Sequence, residues 1–194
     1  DLVRKEKITH TFLVPPQFTA ILSLENLEKD SFSSLKTILS AGSPLRLDVK
    51  ENILTSMSEN LFELYGFSEG FATMLKPHDQ RKKFGSVGTP VLGFEIKIID
   101  EKGNECSPNV AGEIAGYGAG MMKEYYREVE LTNSLIWTDN RGRSFIKSGD
   151  IGSLDEDGFL TILDRKKDMI ISGGLNVFPV DIEEVVGKHP DIVD

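Results

Sequence analysis

Short β-like and helical runs alternate across the first 66 residues, and this alternation constrains the fold more than any other feature of the sequence. Residues 8–14 (ITHTFLV) are β-branched and aromatic and are closed by Pro15-Pro16, the pattern of a buried strand followed by a turn. From Gln17 to Leu24 the apolar residues Phe18, Ile21, Leu22 and Leu24 fall at helical spacing. A second strand is predicted over Leu35–Leu39, running straight into Ala41-Gly42-Ser43-Pro44. Helical spacing returns from Leu47 to Ser58, with Val49, Ile53, Leu54 and Met57 on one side, and Leu61–Gly66 forms a third strand. Strands that alternate with helices over so short a stretch pack as a parallel α/β layer.

The pattern changes after about residue 84. Gly88, Gly93, Gly103 and Gly112 punctuate short β-like runs such as Phe94–Ile99 and Glu113–Ala115. Asn140-Arg141-Gly142-Arg143 and Asp155-Glu156-Asp157-Gly158 suit hairpin turns, since Asn, Asp and Gly tolerate the left-handed backbone such turns need. A small antiparallel barrel or sandwich is expected here. After Asp164 a charged run, DRKKD, leads to Met169–Ile171, a Ser172-Gly173-Gly174 turn, a short strand and a helix over about 180–188. The expected organisation is α/β over 1–84, β-barrel-like over 85–164, and the start of an α+β domain over 165–194.

Charge excludes one class of partner. Against 31 acidic residues there are 22 basic ones, a formal net charge of −9, whereas a nucleic-acid binder needs a dense cationic surface. No apolar run approaches the roughly 20 residues of a membrane span, and the charged opening DLVRKEKITH has no leader character. A cytoplasmic, soluble protein is expected. The single cysteine, Cys106, in a turn-like stretch, excludes an internal disulfide and reads as a surface thiol. His10, His78 and His189 show no ligand spacing.

Three segments carry residues suited to chemistry. In Tyr65-Gly66-Phe67-Ser68-Glu69 a strand ends on glycine, which lets the backbone approach a ligand, and open α/β sheets bind ligands at that end of their strands. An aromatic face, a hydroxyl and a carboxylate in this space suit a base, a phosphate oxygen and a Mg²⁺ ion, although Ser-Glu after a strand also suits a helix N-cap. Ser148-Gly149-Asp150 sets one carboxylate on a sharply turned backbone at the end of a β-run, able to accept from two neighbouring hydroxyls as on a ribose; alone it is an ordinary turn. The run from Asp164 to Glu183 begins like a solvated linker, but composition does not account for its whole order.

Taken in order, these segments resemble the core motifs of the adenylate-forming (AMP-binding) superfamily, which includes acyl-CoA synthetases, aryl-CoA ligases and peptide-synthetase adenylation domains. Residues 65–69 are similar to its Tyr-Gly-x-Ser/Thr-Glu motif, 148–150 to its Ser/Thr-Gly-Asp motif, and 164–174 to its hinge segment and the glycine pair that follows. Ala41–Leu45, Ile8–Pro15 and Gly85–Pro90 resemble three further segments, so the likeness spans nearly the whole chain. The resemblance implies that Gly42, Ser43 and Tyr65 flank adenine, that Gly66 belongs to the same ATP/AMP site, that Ser68 contacts phosphate, and that Glu69 holds Mg²⁺. It implies that Asp150 grips the ribose hydroxyls with help from Arg165, and that Lys167 is the hinge of a swinging C-terminal domain. Gly173 and Gly174 are placed beside a CoA channel, and His10 and Val14 beside the carboxylate pocket. Ser-Gly-Gly-x-Asn-x-x-Pro is closer to the CoA ligases than to the peptide synthetases, which points to CoA as acceptor; the acyl-CoA synthetase branch makes fatty acid metabolism an expected setting.

Two family motifs have no counterpart in these 194 residues: the Ser/Thr/Gly-rich phosphate loop with its lysine, and the C-terminal catalytic lysine. The chain therefore reads as part of a longer ATP-, Mg²⁺- and CoA-dependent ligase acting on a small carboxylate, fatty or aryl, and inactive by itself. A homodimer is compatible with this reading. An adenylation domain that loads a carrier protein, and a non-catalytic nucleotide-binding module, are the alternatives.

Overall fold

The computed structural model describes residues 2–168, 170–172, 175–177, 179–186 and 189. It divides into two compact units. One comprises Asp1–Gly66 and Ala72–Val91, and the other Phe67–Phe71 and Leu92–Asp194.

The first unit contains α1 (Leu2–Lys5), β1 (His10–Leu13), α2 (Pro15–Leu22), β2 (Thr37–Ser40), α3 (Leu47–Ser56), β3 (Leu61–Gly66), β4 (Ala72–Leu75) and β5 (Thr89–Pro90). Its sheet runs β1-β2-β3-β4-β5. The β1–β2 and β2–β3 pairs are parallel, as the strand–helix alternation predicts, and β3–β4 and β4–β5 are antiparallel. The core lies where the α2 and α3 faces meet the strands: Phe18, Ile38, Ile53, Leu54 and Leu61 are buried together, each stabilising by roughly 1.5–3 kcal/mol.

Two local expectations change. The strand over His10–Leu13 is not buried, because it forms one edge of the sheet and alternates between exposed and half-buried residues. Pro15 and Pro16 do not make a turn; they open α2, where a helix has no use for the missing N–H. The Val14 N–H donates to Gln17 Oε1 at 3.0 Å, so the side chain of the third helical residue closes the helix start.

The second unit is built on an antiparallel sheet of order β10-β9-β7-β6, formed by β6 (Phe94–Ile99), β7 (Gly112–Gly118), β9 (Ser144–Leu154) and β10 (Leu160–Arg165). β8 (Ile136–Thr138) pairs with β9. The two expected hairpin turns fall between β8 and β9 and between β9 and β10. α4 (Val129–Leu135) precedes β8 and has no clear signal in the sequence. Ile99, Ala115 and Phe145 form a buried cluster, with Trp137 packed on it. β11 (Ile170–Ser172), β12 (Leu175–Val177) and α5 (Pro179–Val186) follow. The charged run is not a free linker, since Asp164 and Arg165 are strand residues and Lys166–Asp168 make the turn. Among the described residues no helix is long and apolar enough to cross a membrane.

Candidate functional site

In the first unit, Val14, Gly42, Ser43, Tyr65 and Gly66 lie at the carboxyl ends of the parallel strands, whereas His10 lies at the amino end of β1. Gly42 sits in the loop after β2 with φ +98°, a conformation that L side chains rarely adopt. A Cβ placed on it would stand 3.4 Å from Val14 Cγ1, so the loop and the start of α2 are neighbours. Ser43 is exposed beside it. His10 begins β1, is exposed, and has Nδ1 2.9 Å from the Thr9 hydroxyl. Tyr65 and Gly66 end β3 and pair with Thr73 and Ala72 of β4. Thr73 is buried and donates through Oγ1 to the Val87 carbonyl at 2.8 Å, which holds the Gly85–Pro90 segment against β4.

Beneath these residues lies an ion pair that was not legible in the sequence. Lys50 of α3 is 1% exposed and donates to Glu63 Oε1 at 3.2 Å and to the Phe84 carbonyl at 2.6 Å. Burial lowers the Lys50 pKa and raises that of Glu63, with the opposite charge pulling each back. Glu63 Oε2 and Ser40 Oγ, in register on neighbouring strands, are buried without a hydrogen-bond partner.

In the second unit, Ser68 and Glu69 lie in a turn and no helix follows them, so the N-cap alternative does not apply. The Tyr125 hydroxyl donates to Glu69 Oε1 at 2.7 Å, and the Met122 N–H donates to the Glu69 carbonyl at 2.8 Å. The hydrogen bond to Glu69 raises the Tyr125 pKa, with burial and the carboxylate charge acting the same way. Tyr125 lies 56 residues from Glu69 in a stretch without periodicity, and sequence reading passed over it.

Ser148-Gly149-Asp150 is not a turn at the end of a strand. β9 continues through it, with Glu113 opposite Ile151 and Ala115 opposite Lys147, so the three residues bulge against Ile114 alone. Gly149 has φ +77°. The Ser148 hydroxyl donates to the Ile114 carbonyl at 3.2 Å and accepts the Asp150 N–H at 3.0 Å. The bulge turns Asp150 toward β10, where it pairs with Arg165, Oδ1 lying 3.9 Å from Arg165 Nε. The Lys166 N–H donates to the Gly149 carbonyl at 2.9 Å, and the Lys166 ammonium pairs with Glu113 at 2.8 Å. Lys167 is exposed in the next turn. Two segments that the resemblance links by function are thus joined in space. Gly173 and Gly174 lie outside the described residues.

Cys106 is a free thiol and half-buried. Burial, then the charges of Asp100 and Glu105, raise its pKa and keep it protonated and unreactive.

Among the described residues no group of three His, Cys, Asp or Glu side chains could enclose a metal ion. A lone glutamate nonetheless suits Mg²⁺ in a nucleotide site, because that ion is held by one or two carboxylates together with substrate phosphates and water. The half-buried Asp150 likewise suits a diol, since a carboxylate accepts from two hydroxyls at once.

A parallel α/β unit with loops at its strand ends and an antiparallel unit whose bulge carries an aspartate–arginine pair define the class as a mixed α/β protein. Residues 1–126 match the model of the AMP-binding enzyme family, and the chain belongs to that family. It is 36% identical over 176 residues to the long-chain-fatty-acid–CoA ligase of Salmonella typhimurium, a match covering 90% of this chain and 30% of the relative. It is 31% identical over 199 residues to the indoleacetate–CoA ligase of Aromatoleum aromaticum, covering 100% of this chain and 37% of the relative. Among solved structures, the O-succinylbenzoate coenzyme A synthetase of Bacillus subtilis in complex with ATP and magnesium ion superposes with a TM-score of 0.86 at 32% identity, covering 100% of this chain and 39% of that one. The chain thus spans about a third of the length of the curated relatives it matches.

Proposed function

We propose that these residues form part of an AMP-forming carboxylate–CoA ligase. In this reading a carboxylate attacks the α-phosphorus of ATP, giving an acyl-adenylate and pyrophosphate, and CoA then displaces AMP to give the acyl thioester. The observation that carries the proposal is the likeness to carboxylate–CoA ligases along 90–100% of the chain. Gly42, Ser43 and Tyr65 would flank the adenine, Gly66 would belong to the same nucleotide site, Ser68 would meet phosphate, and Glu69 would ligate Mg²⁺. Asp150 would accept from the ribose hydroxyls, and Arg165 would stand beside that carboxylate and help to orient it. Lys167 would serve as the hinge, Gly173 and Gly174 would border the CoA path, and His10 and Val14 would touch the acyl group. The cytoplasm supplies both ATP and CoA and is the natural setting.

Magnesium, when bound, would neutralise charge on the phosphates during transfer. The chain's own residues would position the nucleotide, and positioning with charge stabilisation supplies most of the barrier reduction in such chemistry. The present 194 residues contain no Ser/Thr/Gly-rich phosphate loop, and on their own they are expected to form no acyl-adenylate.

The test is pyrophosphate release by the whole protein across a panel of fatty and aryl carboxylates, with free CoA or a phosphopantetheinyl carrier as acceptor. Carboxylate-dependent release, CoA-dependent turnover and loss of both in Asp150→Asn are expected. Turnover with the carrier alone would transfer the proposal to the carrier-loading alternative, and no carboxylate-dependent release would end it.

A further inference from the structure

We infer that Tyr125 is a positioning residue for Glu69, fixing its carboxylate so that one oxygen remains available to a nucleotide-bound divalent cation. The inference rests on the reading of Glu69 as the metal-facing carboxylate and goes beyond it by naming what orients that group.

A glutamate in a turn has three freely rotating side-chain bonds, and orienting it at the moment of ligation costs entropy. Here that orientation exists beforehand. The Tyr125 hydroxyl engages Oε1 at 2.7 Å, and among the described residues Glu69 Oε2 has no protein donor. The backbone around Glu69 is fixed as well, by the Met122 N–H on its carbonyl and by the Gly70 N–H on the Phe67 carbonyl at 3.2 Å. Tyr125 is itself anchored, since its N–H donates at 3.0 Å to the hydroxyl of Thr132, a buried residue of α4. The Thr132 hydroxyl in turn donates to the Glu128 carbonyl at 2.8 Å. A chain of hydrogen bonds therefore runs from α4 through Thr132 and Tyr125 to Glu69. A hydroxyl donor on one carboxylate oxygen leaves the other to act as a single-oxygen ligand, and outer partners of this kind orient metal-binding carboxylates generally.

The test uses the whole protein, Mn²⁺·ATP as the probe, and paramagnetic broadening of backbone amide signals as the readout, which detects weak binding without turnover. Wild type should show broadening centred on Glu69 and Met122, and Glu69→Gln should abolish it. Tyr125→Phe, with its remaining amide spectrum unchanged, should need about 10-fold more Mn²⁺·ATP for the same broadening, while its response to metal-free ATP stays that of wild type. Thr132→Val should shift the requirement in the same direction by a smaller factor. If Tyr125→Phe matches wild type while Glu69→Gln has lost the effect, the inference is overturned and the role of Glu69 stands. If wild type shows no centred broadening, or Glu69→Gln keeps it, the role of Glu69 falls and the inference falls with it.

Discussion

Arg143 gathers more interactions than any single position in the sequence announces. Its guanidinium donates to both oxygens of Glu95, at 2.6 and 2.9 Å, and through Nε to Asp139 at 2.9 Å, while lying 5.3 Å from the ring centres of Tyr117 and Phe145. The hydrogen bonds from Arg143 hold the Glu95 carboxyl below its usual range. For Asp139, burial pushes upward, but hydrogen bonds from the Arg143 backbone and side chain outweigh it and the pKa is lowered. The unfolded chain therefore binds more protons than the native one between these lowered values and the ordinary carboxylate range near about 4, and stability must rise with pH through that window. Their contribution is complete above the unfolded values and is lost as pH falls through the native ones. The urea midpoint should drop on acidification from pH about 6 to about 3, and the drop should be smaller in Glu95→Gln/Asp139→Asn. Equal drops would show that these carboxylates are not held low. Gly88 makes the opposite point about legibility. Its place in Gly85–Pro90 marked it in the sequence, and the structure supplies the cause: φ is +88° and a Cβ would fall 2.0 Å from the Met74 backbone. A motif glycine can be read in sequence, whereas a guanidinium that joins residues 48 apart cannot.

At the scale of elements, the parallel strands β1–β3 and the helices between them were legible because each carries its own periodicity. β4 and β5 were not, since Ala72–Leu75 is short and Thr89–Pro90 has only two residues; β4 is placed by pairing with β3, and β5 by pairing with β4, not by local preference. Ser148-Gly149-Asp150 reads as a turn for a related reason, since a glycine at positive φ looks the same in a bulge and in a hairpin. The Lys50–Glu63 pair shows the same limit across three elements. Position 50 lies beside Val49 on a helix whose apolar face is plain, yet the ammonium reaches under β3 and up to Phe84, tying α3, β3 and the segment leading into Gly85–Pro90. Removing one partner of such a pair strands the other charge, at about 3–5 kcal/mol, whereas replacing both by apolar groups is often neutral or stabilising. Lys50→Met should thus lose about 3–5 kcal/mol of unfolding free energy, and Lys50→Met/Glu63→Leu should recover most of it. A urea-denaturation cycle over the four proteins measures the coupling. A single variant within about 0.5 kcal/mol of wild type, the usual scatter of surface changes, would show that the pair has no part in stability.

At the scale of the whole molecule, the path of the chain separates what sequence could reveal from what it could not. A parallel layer followed by an antiparallel one is visible as a change in periodicity near residue 84, but the compact units do not follow the chain in a single cut: Phe67–Phe71 belongs with Leu92–Asp194, and Ala72–Val91 belongs with the first unit. The excursion carries Ser68 and Glu69, and its anchor in the second unit is Phe71. That side chain is 2% exposed and lies over Gly116, where a Cβ would stand 1.8 Å from its ring. It also meets Phe67 edge to face, with ring centres 5.1 Å apart. Gly116 is thus the partner surface for Phe71, and the two are explained only together. Phe71→Ala removes the ring and leaves a void that a strand glycine cannot fill, at a cost of about 3–5 kcal/mol. Trp137, the single tryptophan, packs on Phe145 in the same unit and reports on it without any label. The fluorescence transition of Trp137 in urea should therefore move to clearly lower denaturant in Phe71→Ala. An unmoved transition would mean that residues 67–71 are not integral to the second unit, and that Glu69 lacks the footing on which its proposed role depends.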